Sequence, residues 1–348
     1  DQIANSGAPP SSIDVGKARR AGLRRMLLRR LGAPAASLSA VVIVAGLVAS
    51  GTVPLGIGSS SSTQPTVRLS AKEVALLTNS GSVPRNTAKL SNAFEVLMQR
   101  CMKSKGLKYY PTFVSPDQPG YPGLGYPGLA GVPQATISLA ARRANGYGFH
   151  GGGSGRDTRS REEKYADRAG RAYIVALNGN GKQRVHFAIL GGSGSISAGG
   201  CRGAAARQLY GSAIDYFLAI SGHDDLIAVL LNAVTSDPDF TAVVGQWSIC
   251  MAGRGYGYTS PEDLWNTLGG QLDKKHSPAL RRLEIRVAVA DYKCAKTVAL
   301  LSTVAALQAR HAKYFPKAYA GTLAKLTRVD ARALRALKAL HLHLPKKR

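Results

Sequence analysis

Two stretches of this chain share one pattern that limits how the chain can fold: CMKSKGLKYYP at Cys101–Pro111 and CMAGRGYGYTSP at Cys250–Pro261. In each, Met follows the Cys directly, Gly comes five residues after the Cys and Tyr eight residues after it. Apolar residues at three- and four-residue steps precede each Cys, as on the buried face of an amphipathic helix. Because helices commonly end in a left-handed glycine, each pattern predicts a helix that ends just after its cysteine.

The four cysteines of the chain predict two disulfides. One further cysteine follows each repeated stretch, Cys201 after the first and Cys294 after the second. Four cysteines allow three pairings. Because like positions in a repeat should pair alike, we expect Cys101–Cys201 and Cys250–Cys294, each closing one helical module. The close CxxC spacing of a four-cysteine zinc site is absent, and the sequence predicts no metal or cofactor site.

The N-terminal part of the chain has the pattern of an export signal. Residues 1–37 are polar and basic, and residues 38–57 form an apolar run without a charged residue. About 20 apolar residues can cross a bilayer, and the basic flank predicts a cytoplasmic N-terminus. The small residues at 48–50 would equally suit signal-peptide cleavage. The segment is therefore a transmembrane anchor or a signal peptide, and either one places the rest of the chain outside the cytoplasm, where disulfides form.

The rest of the chain reads as a mainly α fold made of two related, disulfide-stapled helical modules. In order, it comprises a Ser-rich linker (58–68), a first helical module (69–235) with a Gly/Pro-rich loop (115–170), a second helical module (236–312) and a basic helical tail (313–348). One part of the first module, Tyr173–Leu190, fits either a hairpin turning on Asn178–Gly181 or two short helices. The helical surroundings favour helices.

The formal net charge of +26 narrows the classes of partner. Such a charge favours nucleic acid, acidic lipid head groups or anionic cell-wall polymers. Export would place the domain away from the chromosome, which disfavours nucleic acid. The sequence therefore predicts a non-catalytic binding or accessory module of the cell membrane or the secreted fraction. Its expected partner is an anionic wall polymer, an acidic lipid or a membrane protein.

The alternative function is a cell-wall glycan hydrolase, which needs two carboxyl groups on either side of the bond that is cleaved. Glu95, six residues before Cys101, and Glu284, ten residues before Cys294, are the candidate pair. Solvated or helix-end charges account for these residues more simply, so an enzyme is not the expected class. Likewise, the sequence His223-Asp224-Asp225 could hold a metal, but acidic residues at a helix N-terminus explain it better.

An ordered series of short motifs runs from Leu90 to the tail. It reads CMKSKG with Tyr-Pro, ARRANGYG, GGCRGAAARQLYG, W-x-x-CMAGRGY with Pro-Glu-Asp-Leu, and EIRVAVADYKC before a long helix. This series resembles that of a set of exported actinobacterial proteins of uncharacterised function. The resemblance implies export and two disulfides, and it implies no particular reaction. The last helix of this chain is more basic than in those proteins, which intersperse many acidic residues.

Overall fold

The computed structural model describes residues 65–114, 138–148, 160–189, 192–274 and 277–344. The basic N-terminal region, the apolar segment 38–57 and most of the linker lie outside the described residues. The described chain is mainly helical, as predicted. Its helices are α1 (Ala71–Leu77), α2 (Val83–Ser104), α3 (Leu139–Asn145), α4 (Arg161–Asn178), α5 (Gly200–Tyr210), α6 (Ala213–Phe217), α7 (His223–Thr235), α8 (Pro238–Ala252), α9 (Pro261–Lys274), α10 (Pro278–Thr297), α11 (Leu300–Lys313) and α12 (Lys317–Ala339). Its strands are β1 (Thr66–Arg68), β2 (Arg184–Ile189), β3 (Gly192–Ser197) and β4 (Tyr314–Pro316).

The two repeated stretches end their helices in the same way. Gly106 and Gly255 both have left-handed backbones, with φ of 73° and 83°. In each copy the residue after this glycine donates its N–H to the carbonyl of the Met that follows the Cys, Met102 or Met251, at 3.0 Å. The glycine itself donates to the carbonyl one residue further on. This is the Schellman helix cap, and both methionines are fully buried beneath it.

The chain after each cap also folds back in the same way. The side chain two residues before the Cys donates to the carbonyl of the Tyr eight residues after it in both copies. Gln99 Nε2 lies 3.4 Å from Tyr109 O, and Ser248 Oγ lies 2.8 Å from Tyr258 O. The Tyr at this position is therefore held over the end of the helix that carries the cysteine.

The structure contains the disulfides Cys101–Cys201 and Cys250–Cys294, which is the pairing that the repeat predicts. The Cα atoms of the two pairs are 5.5 Å and 5.7 Å apart. The second cysteines differ in position, since Cys201 lies in the first turn of α5 and Cys294 in the last turn of α10. The local likeness of the two halves is thus centred on the first cysteine of each pair.

Two expectations for the first half of the chain are wrong. The range 115–170, predicted as a Gly/Pro-rich loop, contains α3 and the start of α4, because Ser138 and Ser160 cap these helices. The second half of Tyr173–Leu190 is a strand, not a helix: α4 ends at Asn178, and β2 pairs with β3 as an antiparallel hairpin. Along β2 the half-buried Val185 and Phe187 alternate with exposed residues, which is a strand period.

One hydrophobic core extends through both predicted modules and the tail. Helix α12 packs chiefly on α5, with further contacts to α1, α2, α7 and the π-helical segment Leu218–Gly222. Strand β1 at the start of the described chain pairs with β4, immediately before α12. The tail is therefore part of the globule. It packs mainly on helices from the first half of the described chain, which are the most distant from it in sequence.

Candidate functional site

Helix α12 packs its larger apolar residues on the core and presents basic residues on its outer surface. Leu323, Leu326, Val329 and Ala333 recur at three- and four-residue steps and are buried. The exposed basic residues follow the same steps on the other side of the helix. We call them the cationic face of α12: Lys325, Arg328, Arg332 and Arg335. At 3.6 residues per turn, these four residues occupy about a quarter of the helix circumference.

The cationic face carries little compensating negative charge. Arg332 pairs with Asp215, near the start of α6. Lys325, Arg328 and Arg335 form no ion pair with the described part of the chain. A helix surface with several uncompensated cations in a row attracts polyanions and acidic surfaces.

The only acidic residue of α12 lies on its inner surface. Asp330 lies between Leu326 and Ala333 on the side that packs on the core, and it makes no hydrogen bond or ion pair with the described residues. Burial alone raises its pKa to about 7. Because Asp330 lies on the inner surface of α12, it does not offset the positive charge of the outer surface.

The candidate catalytic residue Glu95 lies in α2 and holds the chain segment that follows this helix. Its carboxylate accepts hydrogen bonds from Tyr109 Oη at 3.0 Å and from the Thr112 N–H at 2.9 Å. Glu162 of α4 accepts from the Tyr110 N–H at 2.6 Å in the same segment. Burial raises the pKa of both carboxyl groups, and the charge of Glu95 adds to the rise at Glu162. Two carboxylates thus clamp this segment between two helices.

The other candidate, Glu284, belongs to a second cluster, beside the Cys250–Cys294 disulfide. It is fully buried in α10 and accepts a hydrogen bond from the Tyr147 N–H at 2.9 Å. Two turns further along the same face of α10, Asp291 accepts from Tyr147 Oη at 2.8 Å and from Trp247 Nε1 at 3.0 Å. The guanidinium of Arg142 lies 4.5 Å from the centre of the Tyr147 ring. Burial raises the pKa of Asp291, and the hydrogen bond from Tyr147 opposes this rise.

These contacts give Glu95 and Glu284 separate structural roles. Glu95 anchors the segment after α2, and Glu284 anchors the end of α3, so each belongs to its own cluster. The second cluster joins three of the short motifs: ARRANGYG supplies Tyr147, EIRVAVADYKC supplies Asp291, and W-x-x-CM supplies Trp247. The seven-residue step from Glu284 to Asp291 places both on one face of α10, and this spacing is the sequence signal that points to their shared cluster.

The histidine considered as a metal ligand binds the backbone. His223 Nε2 lies 2.8 Å from Leu76 O, at the end of α1. Within the described ranges, no group of three or more His, Cys, Asp or Glu side chains could hold a metal ion. The residue therefore joins the start of α7 to α1.

One stretch among the described residues is long and apolar enough to cross a membrane. It is Ala213–Thr235, formed by α6, the π-helical segment and α7, and 29% of its most apolar part is buried. The predicted span at 38–57 is a different segment. A core helix can have the same length and composition, so the stretch is weak support for a span. Together with the two disulfides, it fits a membrane-anchored or secreted protein.

Comparison of the chain with protein-family models, curated proteins and solved structures gives no match.

Proposed function

We propose that this protein is a non-catalytic binding module of the cell envelope, membrane-anchored or secreted. It binds an anionic envelope component through the cationic face of α12. The observation that carries the proposal is the run of exposed, uncompensated cations Lys325, Arg328 and Arg335 on a helix that the core holds rigidly. The predicted export of the chain makes the anionic polymer of the cell wall the first partner to test.

A fixed helix is well suited to this role. An ordered row of cations binds a polyanion without first ordering a flexible tail, so less conformational entropy is lost on binding. The apolar inner surface and the β1–β4 pairing hold α12 at both its centre and its start. Binding of this kind depends on the charge density of the partner and not on its detailed chemical structure, which suits an accessory module.

Co-sedimentation with purified cell wall tests the proposal. We expect the full chain to pellet with the wall at low ionic strength and to leave the wall glycan intact. A chain that stays in the supernatant at low ionic strength would contradict the proposal.

The second candidate function is cleavage of the wall glycan, and one observation favours it. Glu162 and Glu95 bind the backbone N–H groups of Tyr110 and Thr112, two residues apart, so both carboxyl groups lie at one short segment. Burial raises the pKa of Glu162, and a raised pKa suits a general acid. Zymography on the same wall preparation decides between the two functions. Clearing by the wild type that is lost in Glu162→Gln would support the hydrolase, and no clearing by the wild type would eliminate it.

A further inference from the structure

A cavity of about 290 Å³ lies beside the β1–β4 ribbon, away from the carboxylate clusters. Its floor includes the buried side chains of Leu230 and Phe315, and the half-exposed ring of Tyr314 stands at its mouth. The lining is mainly apolar and comes from β1, α7, α11 and β4: Thr66, Val229, Leu230, Ala233, His311, Tyr314, Phe315 and Pro316. This volume is at the lower limit of small-molecule sites, so the cavity suits one narrow apolar group.

Cationic side chains surround the ribbon that forms one wall of the cavity. Arg68 pairs in register with Tyr314, and Lys313 and Lys317 flank the strand β4. All three are exposed and form no ion pair with the described part of the chain. Beside the cavity, Asp237 lies 2.7 Å from His311 and also pairs with Arg310, so the charge of Arg310 is offset by that of Asp237. The outer rim is therefore positively charged.

The helix that forms the opposite wall is apolar and incompletely covered. On α7 the side chains of Val229 and Ala233, which line the cavity, are only partly buried, and α7 belongs to the apolar stretch Ala213–Thr235. An apolar surface that borders a cationic rim matches the interface of a membrane, where acyl chains lie below charged head groups.

The position of β1 in the chain places this side of the molecule near the membrane. The predicted anchor ends at residue 57 and β1 begins at Thr66. The intervening residues can span at most about 30 Å when fully extended. If the anchor is retained, the ribbon and its cavity lie within this distance of the bilayer surface.

We propose that the cavity takes one acyl chain of an acidic phospholipid, whose head group binds Arg68, Lys313 and Lys317. The apolar lining removes the end of the chain from water, and the rim cations neutralise the phosphate. Lys317 is the first residue of α12 and lies on the same side of that helix as the cationic face, but it precedes Lys325 by about two turns, so the two sites use different residues.

Photolabelling of the full chain in lipid nanodiscs tests the proposal. The probe is phosphatidylglycerol with a diazirine in its acyl chain, and phosphatidylcholine with the same diazirine is the reference. We expect adducts on the peptides that contain Val229–Ala233 and Tyr314–Pro316, with phosphatidylglycerol labelling them several-fold more than phosphatidylcholine. Adducts confined to residues 38–57, or labelling of the cavity only by a diazirine fatty acid added in solution, would overturn the proposal.

A matched pair of variants separates the cavity from the surrounding surface. Ala233→Phe places a ring in the cavity and should abolish the cavity adducts, whereas Asn232→Phe adds the same ring at an adjacent exposed position and should leave them unchanged. Equal labelling of the two variants would contradict the proposal. A circular-dichroism spectrum and a melting temperature that match those of Asn232→Phe show that Ala233→Phe is folded.

A charge variant tests the head-group site without changing the cavity. Lys313→Glu with Lys317→Glu should remove the preference for phosphatidylglycerol over phosphatidylcholine, and a preserved preference would contradict the head-group assignment. Neutralising Lys325, Arg328 and Arg335 should weaken wall binding and leave the cavity adducts intact. The lipid site and the proposed wall-binding function therefore fail separately.

Discussion

Asp330 is a carboxyl group whose pKa is raised far above its ordinary value. Asp330 is partly buried on the side of α12 that carries Leu326 and Ala333, and it has no hydrogen-bond partner among the described residues. Burial raises its pKa to about 7. A buried carboxyl group without a partner costs stability once it is ionised, because the charged form loses its hydration.

The pH dependence of stability follows from this raised pKa. Below about pH 4 Asp330 is protonated in both the folded and the unfolded chain, and it carries no penalty. Between about pH 4 and pH 7 the unfolded chain releases the proton that the folded chain retains, so the free energy of unfolding falls as the pH rises. We expect Asp330→Asn to increase the free energy of unfolding at about pH 8, by at most about 4 kcal/mol, and to change it little at about pH 4.

Urea unfolding of the wild type and the variant at the two pH values measures this effect. Glu262→Gln is the control, because Glu262 is an exposed carboxylate in the first turn of α9. Its effects at the two pH values should differ by less than about 1 kcal/mol, because a first-turn carboxylate contributes at most that much through the helix dipole. A gain in Asp330→Asn that does not depend on pH would contradict the buried, protonated carboxyl group.

The helix caps of the repeated stretches are the elements that the chain's sequence specifies most completely. Gly255 has a φ of 83° with open space around its Cα, so the backbone conformation alone requires glycine there. Gly245 also has open space but lies on the exposed surface of α8, within the helix. The same substitution should therefore have opposite effects at these two positions.

We expect Gly255→Ala to lower the free energy of unfolding by about 1–2 kcal/mol, because Ala is strained in the left-handed region. Gly245→Ala should raise it by about 1 kcal/mol, because Ala is the better helix former. Thermal unfolding followed by circular dichroism gives both values. Two changes of the same sign would contradict the assigned helix end.

The elements that were predicted correctly are those with local chemical signals. Asp237 and Ser277 each cap a helix and precede a proline, a pair of residues that signals a helix start within the local sequence. The sequence favours helices over this hairpin because its only strand signal is the short alternation at Val185 and Phe187, whereas the Asn-Gly pairs at 178–181 are a stronger turn signal at a different place. Those Asn-Gly residues connect α4 to β2 and do not form the turn between the strands.

The sequence predicts the positive charge of the candidate site but not the position of that site in the fold. The basic composition of residues 313–348 is plain in the sequence, and the apolar stripe through Leu323 shows which side of the helix is buried. The partner of that stripe is set by contacts with α5 and by the pairing of Thr66 with Pro316. Such long-range contacts have no signal in any local stretch.

At the scale of the whole molecule, the shared core determines how the protein unfolds. Buried residues from Leu69 to Ala333 form one cluster, so neither half has a core of its own. We therefore expect one cooperative transition in calorimetry. Replacing either Cys101 and Cys201 or Cys250 and Cys294 by Ala should lower the temperature of that same transition, because each disulfide stabilises by up to about 4 kcal/mol.

Two separate transitions, each sensitive to only one cysteine pair, would contradict the shared core and would favour independent modules. Either variant keeps the other disulfide, so each serves as the control for the other.

The proposed function depends on the whole arrangement, in which the core fixes α12 with its cations outward. Binding that rests on charge should weaken steeply with salt, because the Debye length falls from about 10 Å at 0.1 M to about 3 Å at 1 M. Each cation at an acidic surface contributes about 1 kcal/mol, so removing three should weaken binding by roughly a hundredfold.

The most direct test is a salt series of wall co-sedimentation with two triple variants. The first replaces Lys325, Arg328 and Arg335 by Gln. The second, as control, replaces three exposed cations in and after α4 by Gln: Arg168, Arg171 and Lys182. We expect the α12 variant to lose binding at low salt. The control variant and the wild type should bind at low salt and should be released at 1 M salt, where the Debye length is only about 3 Å. Equal loss in both variants, or wild-type binding that survives high salt, would contradict binding through the cationic face of α12.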